Sequence, residues 1–313
     1  MSQTLTAQTS SDRSLNGDRA MRMYRYDRVY QPLPHPDAID EPAIRRFHED
    51  GFIAVENVFT PAEVQSYLDA IHETILADDG TLGVTHYEPG VDGQSLPGPQ
   101  RVPLVRKLFL FADKVPVLGA AAGHPRLFSI AQRLMGEQLV LSQDMALLKP
   151  PGGGVEKPWH QDTAYFAISP PTAVIGTWTA LDEATLDNGC MHAIPGSHKL
   201  GPKPHYHDRD CQLPDDTVDL DRDVAIPLKP GGTMFFSGLL HHGTPPNRSQ
   251  SRRQALQFHY RTVSSTNMRP EELIEAFQDG AGFAGCQGWK IKMKTRDIDD
   301  RADFPADKRA AGR

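Results

Sequence analysis

The sequence predicts a mainly β domain, an antiparallel sandwich or barrel, with an α-rich first part packed outside it. Three observations carry that reading. From Gln138 onward the apolar residues gather into short β-rich segments. Turn clusters separate those segments at 150–158 (PPGGGVEKP), 187–197 (DNGCMHAIPGS) and 243–251 (GTPPNRSQS). Glycine and proline number 26 each in 313 residues, which favours many turns and hence many short strands.

The elements follow in order. Residues 1–27 begin Ser/Thr-rich, lack the apolar run of a secretory signal and are expected to form a disordered tail. A short helix is expected over Pro42–Asp50 and a strand over Phe52–Val58, separated by Gly51. Thr60-Pro61-Ala62-Glu63 is a capping box with proline at the first helical position, so a helix starts there. Val64, Tyr67, Leu68, Ile71 and Ile75 fall at three- and four-residue steps and give that helix one buried stripe. A third helix is expected over Pro125–Leu134, ended by Gly136. Strands are expected at Leu139–Leu148, Ala173–Leu181, Val224–Leu228, Thr233–Leu240 and Ala255–Val263. A last helix is expected at 270–279 and a loose, charged end at 296–313. The reading is one domain over 28–295, with helices within 40–135 and a β core over 138–263.

Composition narrows the function. Hydrophobic residues make up 39% and charged residues 23%, as in ordinary soluble globular chains. Basic residues number 33 against 40 acidic ones, a net charge of −7 that argues against nucleic acid as a partner. Apolar stretches such as Met234–Leu240 are far short of the roughly 20 residues that cross a bilayer, so no membrane partner is expected. Cys190, Cys211 and Cys286 form no CxxC pair, which suggests neither a disulfide framework nor a zinc ribbon. A reducing, cytoplasmic location is the matching expectation.

The chemistry concentrates in Trp159–Phe166. On a strand, His160 and Asp162 would point to one face, so an imidazole and a carboxylate could converge on one ion. A third ligand is available at His241-His242, at the end of an apolar strand. Two histidines and one carboxylate form a facial triad, which leaves three positions open on Fe(II) for co-substrate and oxygen. Arg253 follows His242 by 11 residues, one hairpin away, where a guanidinium can clamp the distal carboxylate of a dicarboxylate. Other polar residues have plainer readings. His198 follows a Pro-Gly turn and is expected to be structural. His205, His207, Asp208 and Asp210 could bind a second metal, but a solvated loop is the better expectation. Pro150–Gly154 lacks the helix and lysine-serine pair of a phosphate loop.

Three motifs occur in order: HQD at 160–162, TWTALDEATLDNGCMHAIPGSHK at 177–199, and HGTPPNRSQSRR at 242–253. With HEDGFIAVENVFTPAE at 48–63, they make the chain resemble the phytanoyl-CoA dioxygenase family of Fe(II)- and 2-oxoglutarate-dependent oxygenases over roughly residues 40–263. The resemblance implies a double-stranded β-helix (jelly roll, cupin-like), with Fe(II), 2-oxoglutarate and O2 as the reacting set. It implies His160, Asp162 and His242 as metal ligands and Arg253 as the 2-oxoglutarate arginine. Trp178 falls where the family has an aromatic residue beside the co-substrate, though it can equally be a core aromatic. Gln143 falls where some members place a carboxylate donor, and Thr244 where a hydroxyl can reach the distal carboxylate. Hydroxylation of a small organic substrate, with release of succinate and CO2, is the expected reaction. Desaturation, epoxidation or rearrangement at the same site, and a non-catalytic binding protein of the same fold, are the alternatives. Halogenases of this chemistry have a small residue where Asp162 stands, so halogenation is not expected. The segment Gly201–Asp223 is expected to form a lid or wall over the substrate end. Prime substrate and oligomeric state stay open.

Overall fold

Capping residues mark several of the helix ends in the amino-terminal part. In the computed structural model, which describes residues 18–79, 85–87, 92–93, 95–152 and 154–277, Asp40 caps the helix Glu41–Asp50 by accepting from Ala43 N at 2.9 Å. Gly51 ends it with φ at 85°, a left-handed conformation that glycine adopts without cost. Thr60 and Glu63 close the expected capping box on the helix Pro61–Ala77, and Gly136 ends the helix Pro125–Met135.

Eleven strands build two antiparallel sheets. They are β1 (Phe52–Val55), β2 (Thr85–Tyr87), β3 (Val105–Phe109), β4 (Leu139–Lys149), β5 (Lys157–His160), β6 (Val174–Ala180), β7 (Met191–Ala193), β8 (Val224–Ile226), β9 (Thr233–Ser237), β10 (His242–Thr244) and β11 (Arg253–Thr262). The larger sheet runs β1-β9-β6-β11-β4-β3-β2 and the smaller runs β8-β7-β10-β5. Alternation along the larger sheet divides the core. Phe52, Ala54, Met234, Phe236 and Ala255 pack with Met191, Ala193 and Ile226 of the smaller sheet. Their strand neighbours Ile53, Val55, Phe235, Leu256 and Phe258 pack instead with Phe47, Ile71 and Leu127 of the helices. Both faces of the sheet are therefore buried, which is why its strands read as apolar runs. The sandwich of two antiparallel sheets with helices on one outer face is the expected jelly roll.

Three expectations need correction. The β core is not confined to 138–263, because β1, β2 and β3 from the helix-rich part complete the larger sheet. The tail expected over 1–27 is packed from residue 18. Met23 O accepts from the Trp159 indole at 2.7 Å, and the buried Tyr24 ring stacks on Trp159 with centroids 5.3 Å apart. Aromatic contacts 135 or more positions away have no local sequence signature, which is why the segment reads as a tail. Cys211 is disulfide-bonded, so cysteine content no longer argues for a reducing compartment, whereas Cys190 is a free, buried thiol. Residues 1–17 and the end expected to be loose, 296–313, lie outside the described residues. Among the described residues no helix is long and apolar enough to cross a membrane.

Candidate active site

Strand alternation also builds the site. In the β4–β11 pair, Arg253 lies opposite Lys149, Gln257 opposite Met145 and His259 opposite Gln143. Alternate residues face one way, so Gln143, Met145, Leu147, Lys149, Arg253 and Gln257 line one cavity of about 270 Å³. Trp178 enters from β6, where it pairs with Gln257. The smaller sheet supplies the opposite wall. There β5 and β10 set His160 directly across from His242, with ring centroids 4.2 Å apart.

Asp162 reaches the histidines by a different route from the expected strand. β5 stops at His160, and Asp162 opens a 3₁₀ turn, Asp162–Tyr165. Thr163 pins the turn by donating both its N–H and its hydroxyl to Gly238 O at 3.0 Å. One ligand atom each from His160, Asp162 and His242 then lies within 4.8 Å of the others, and all three residues are buried. No other such group of His, Cys, Asp and Glu occurs among the described residues.

The residues fit a metal ion on their own chemistry. His160 Nδ1 donates to Pro158 O at 2.8 Å and His242 Nδ1 to Leu240 O at 3.0 Å. A protonated Nδ1 leaves the lone pair on Nε2, and these Nε2 atoms are the ones facing Asp162, at 3.2 and 3.6 Å. Burial, with His160 beside it, presses His242 down to about 3, so its ring is neutral at physiological pH. Burial works against the Asp162 charge, but His259, His242 and His160 outweigh it and hold the carboxyl well below the usual range. Two imidazoles and one carboxylate on one side of an open cavity can hold a first-row divalent metal with positions to spare.

A second feature lies at the other end of the cavity. Arg253 is buried with its Cζ 5.2 Å above the Trp178 ring, and burial lowers it only to about 10, so it stays charged. Its Nε and Nη1 have no hydrogen-bond partner among the described residues, and neither has Trp178 Nε1. A buried cation with donors aimed at nothing fits an anionic ligand. Thr244 Oγ1 accepts from Lys149 Nζ at 2.9 Å, which leaves the threonine's own proton to donate. All seven residues expected at the site, Gln143, His160, Asp162, Trp178, His242, Thr244 and Arg253, line this one cavity. His241 is buried but outside the ligand group, and His198 contacts His48 O, away from the site.

Several residues of the site were not apparent from sequence. Lys149, Gln257 and His259 belong to it, and their signal is the polar residue at alternate positions of an otherwise apolar strand. His205 and Asp210, expected on a solvated loop, are instead fastened to the site, within the segment Gly201–Asp223 that was expected as its lid or wall. Gln161, between the two ligands, donates its N–H to the buried His205 Nε2 at 2.9 Å and accepts from Lys203 N at 2.8 Å. Burial holds His205 at about 3, so it accepts as a neutral ring. Asp210 lines the cavity and pairs with Lys157 at 3.1 Å and Arg106 at 3.3 Å, while Lys157 also donates to the Tyr165 hydroxyl at 2.5 Å.

Solved structures of the same architecture place the site in a class. EvdO2 from Micromonospora carbonacea var. aurantiaca, in complex with 2-oxoglutarate, matches 75% of this chain and 96% of its own, with TM-score 0.59 and 28% identity. EctD from S. alaskensis with bound Fe matches 77% of this chain and 83% of its own, with TM-score 0.61 and 25% identity. The fold and the His-Asp-His group define an Fe(II)- and 2-oxoglutarate-dependent dioxygenase. The sequence profile described as phytanoyl-CoA dioxygenase (PhyH) matches residues 47–255, and the chain belongs to that family. The human peroxisomal phytanoyl-CoA dioxygenase is 26% identical over 227 residues, 69% of this chain and 67% of its own.

The geometry yields a direct test of the ligand group. Alanine at His160, Asp162 or His242 is expected to abolish stoichiometric iron binding, whereas His241→Ala is expected to retain it, read as metal content of the purified protein. Retained iron in His242→Ala with loss in His241→Ala would reverse the assignment.

Proposed function

We propose that the protein hydroxylates a small organic substrate while converting 2-oxoglutarate to succinate and CO2. The observation that supports this most is one cavity with a metal-ligand triad at one end and, at the other, a buried arginine whose Nε and Nη1 have no partner among the described residues. A 2-oxoglutarate molecule has matching ends, a keto acid to chelate metal and a distal carboxylate to meet a cation. In this reading His160, Asp162 and His242 hold Fe(II), and Arg253 holds the distal carboxylate. Thr244 donates its hydroxyl to the same carboxylate, Trp178 forms the wall beside the co-substrate, and Gln143 offers its amide to a carboxylate oxygen. When bound, iron, 2-oxoglutarate and O2 supply the oxidation, placing one oxygen atom in succinate and one in the substrate.

The chain's own residues hold and shield the reactants. Phe109, Met145, Leu147 and Phe166 give the cavity apolar walls that exclude water. Tyr165, Lys157, Asp210 and Arg106 form a polar rim that can orient a substrate. Asp162 occupies the position that halide would need, which favours hydroxylation over halogenation.

Arg253→Ala is expected to weaken 2-oxoglutarate binding by about 3 to 5 kcal/mol, the loss typical when a buried charge pair is broken, with metal affinity little changed. Arg252→Ala is the control, because its guanidinium reaches Val102 O instead. Calorimetric titration of the Mn(II)-loaded proteins decides it, and equal affinities for Arg253→Ala and parent would remove the clamp. Once a substrate is found through 2-oxoglutarate consumption, its product formed under labelled O2 is expected to carry one labelled oxygen, with chloride or bromide present and not incorporated. An unlabelled or halogenated main product would contradict hydroxylation.

A further inference from the structure

A buried histidine outside the ligand triad makes the shortest polar contact to it. His259 Nε2 lies 2.6 Å from Asp162 Oδ2, within the range of a charge-assisted hydrogen bond. Gln257 Nε2 adds a second donor to the same oxygen at 3.3 Å. Asp162 Oδ1, 3.2 Å from His160 Nε2, is the oxygen left with open lone pairs.

The surroundings hold this imidazole in place. His259 is fully buried, with Phe166 edge-on at 4.8 Å and Phe236 at 6.4 Å between ring centroids. The β4–β11 register shifts between His259 and Tyr260, an irregularity of the kind that re-aims strand side chains. Its Nδ1 has no partner among the described residues, and its Nε2 makes its shorter contact to Asp162 Oδ2 and a longer one, 3.2 Å, to Gln257 Nε2. A histidine kept only to fill the core would leave the same nitrogen unsatisfied for no return, where an apolar residue would not.

We infer that His259 is a positioning residue for the metal site, fixing the Asp162 carboxylate by donating to Oδ2 so that Oδ1 is presented to the metal beside His160. The inference rests on the reading of His160, Asp162 and His242 as the ligands. A carboxylate already held in its binding orientation loses less freedom when it coordinates, and partners of metal ligands typically contribute about 10- to 100-fold in affinity.

The test is a titration of apo-protein with Mn(II), followed by the spin-resonance signal of the free ion, with 2-oxoglutarate present so that weak binding stays measurable. His259→Phe keeps a ring but removes the donor, and its Mn(II) affinity is expected to fall about 10- to 100-fold. His259→Gln restores an N–H near the same place and is expected to recover most of that loss. Should the phenylalanine variant not fold, His259→Met against His259→Gln gives the same contrast. In an Asp162→Ala background, removing the His259 donor is expected to cause no further loss. Parent-like affinity in the variants lacking the donor, or an equal additional loss without Asp162, would overturn the inference. Parent-like Mn(II) binding by Asp162→Ala itself would instead overturn the ligand assignment on which it rests.

Discussion

A carboxylate kept ionised inside a closed jelly roll is the constraint around which the site is organised. Burying Asp162 disfavours its charge, and an isolated ion there would protonate instead. The structure answers with four surrounding groups: His160 and His242 from the smaller sheet, and Gln257 and His259 from the larger one. The charge is thereby held below the usual carboxylate range. Asp162 is thus tied to both walls of the cavity, so any shift between the sheets would disturb it.

The rigidity this needs comes from pairing rather than from local helical or turn preference. β4 and β11 share a ladder from Arg253–Lys149 to Thr262–Leu139, the longest in the molecule as described, and it carries both ends of the site. Arg253 sits at one end of it and His259 six residues on, so strand geometry sets the distance between the proposed anion-binding arginine and the proposed support of the metal ligand. The backbone carbonyls of Pro158 and Leu240 complete the arrangement by fixing which nitrogen of each histidine faces inward. Function and stability share the same hydrogen bonds here.

Much of this was legible in the sequence because it is local or repetitive. The capping box at Thr60, the glycines at 51 and 136, and the β-rich segments after Gln138 all state their structure within a few residues, and the helices and main strands lie within a few positions of their expected ends. The triad and Arg253 were legible because HQD and the His242–Arg253 spacing lie on short stretches. What stayed hidden depends on distant contacts. Tyr24 earns its place only by meeting Trp159, β1 and β3 join a sheet formed mostly by later residues, and Asp162 turns in through a 3₁₀ turn anchored on Gly238. His259 and Lys149 looked like ordinary strand residues because the partner that gives each a role lies 95 or more positions away.

The proposed function requires one cavity to bring a metal held by His160, Asp162 and His242 together with a dicarboxylate held by Arg253. A crystal structure of the protein grown with Mn(II) and 2-oxoglutarate tests it most directly. The ion is expected on the Nε2 atoms of both histidines and on Asp162, chelated by the keto acid, with the distal carboxylate on Arg253 and both Nδ1–carbonyl bonds kept. An ion bound elsewhere, or 2-oxoglutarate seated away from Arg253, would contradict it.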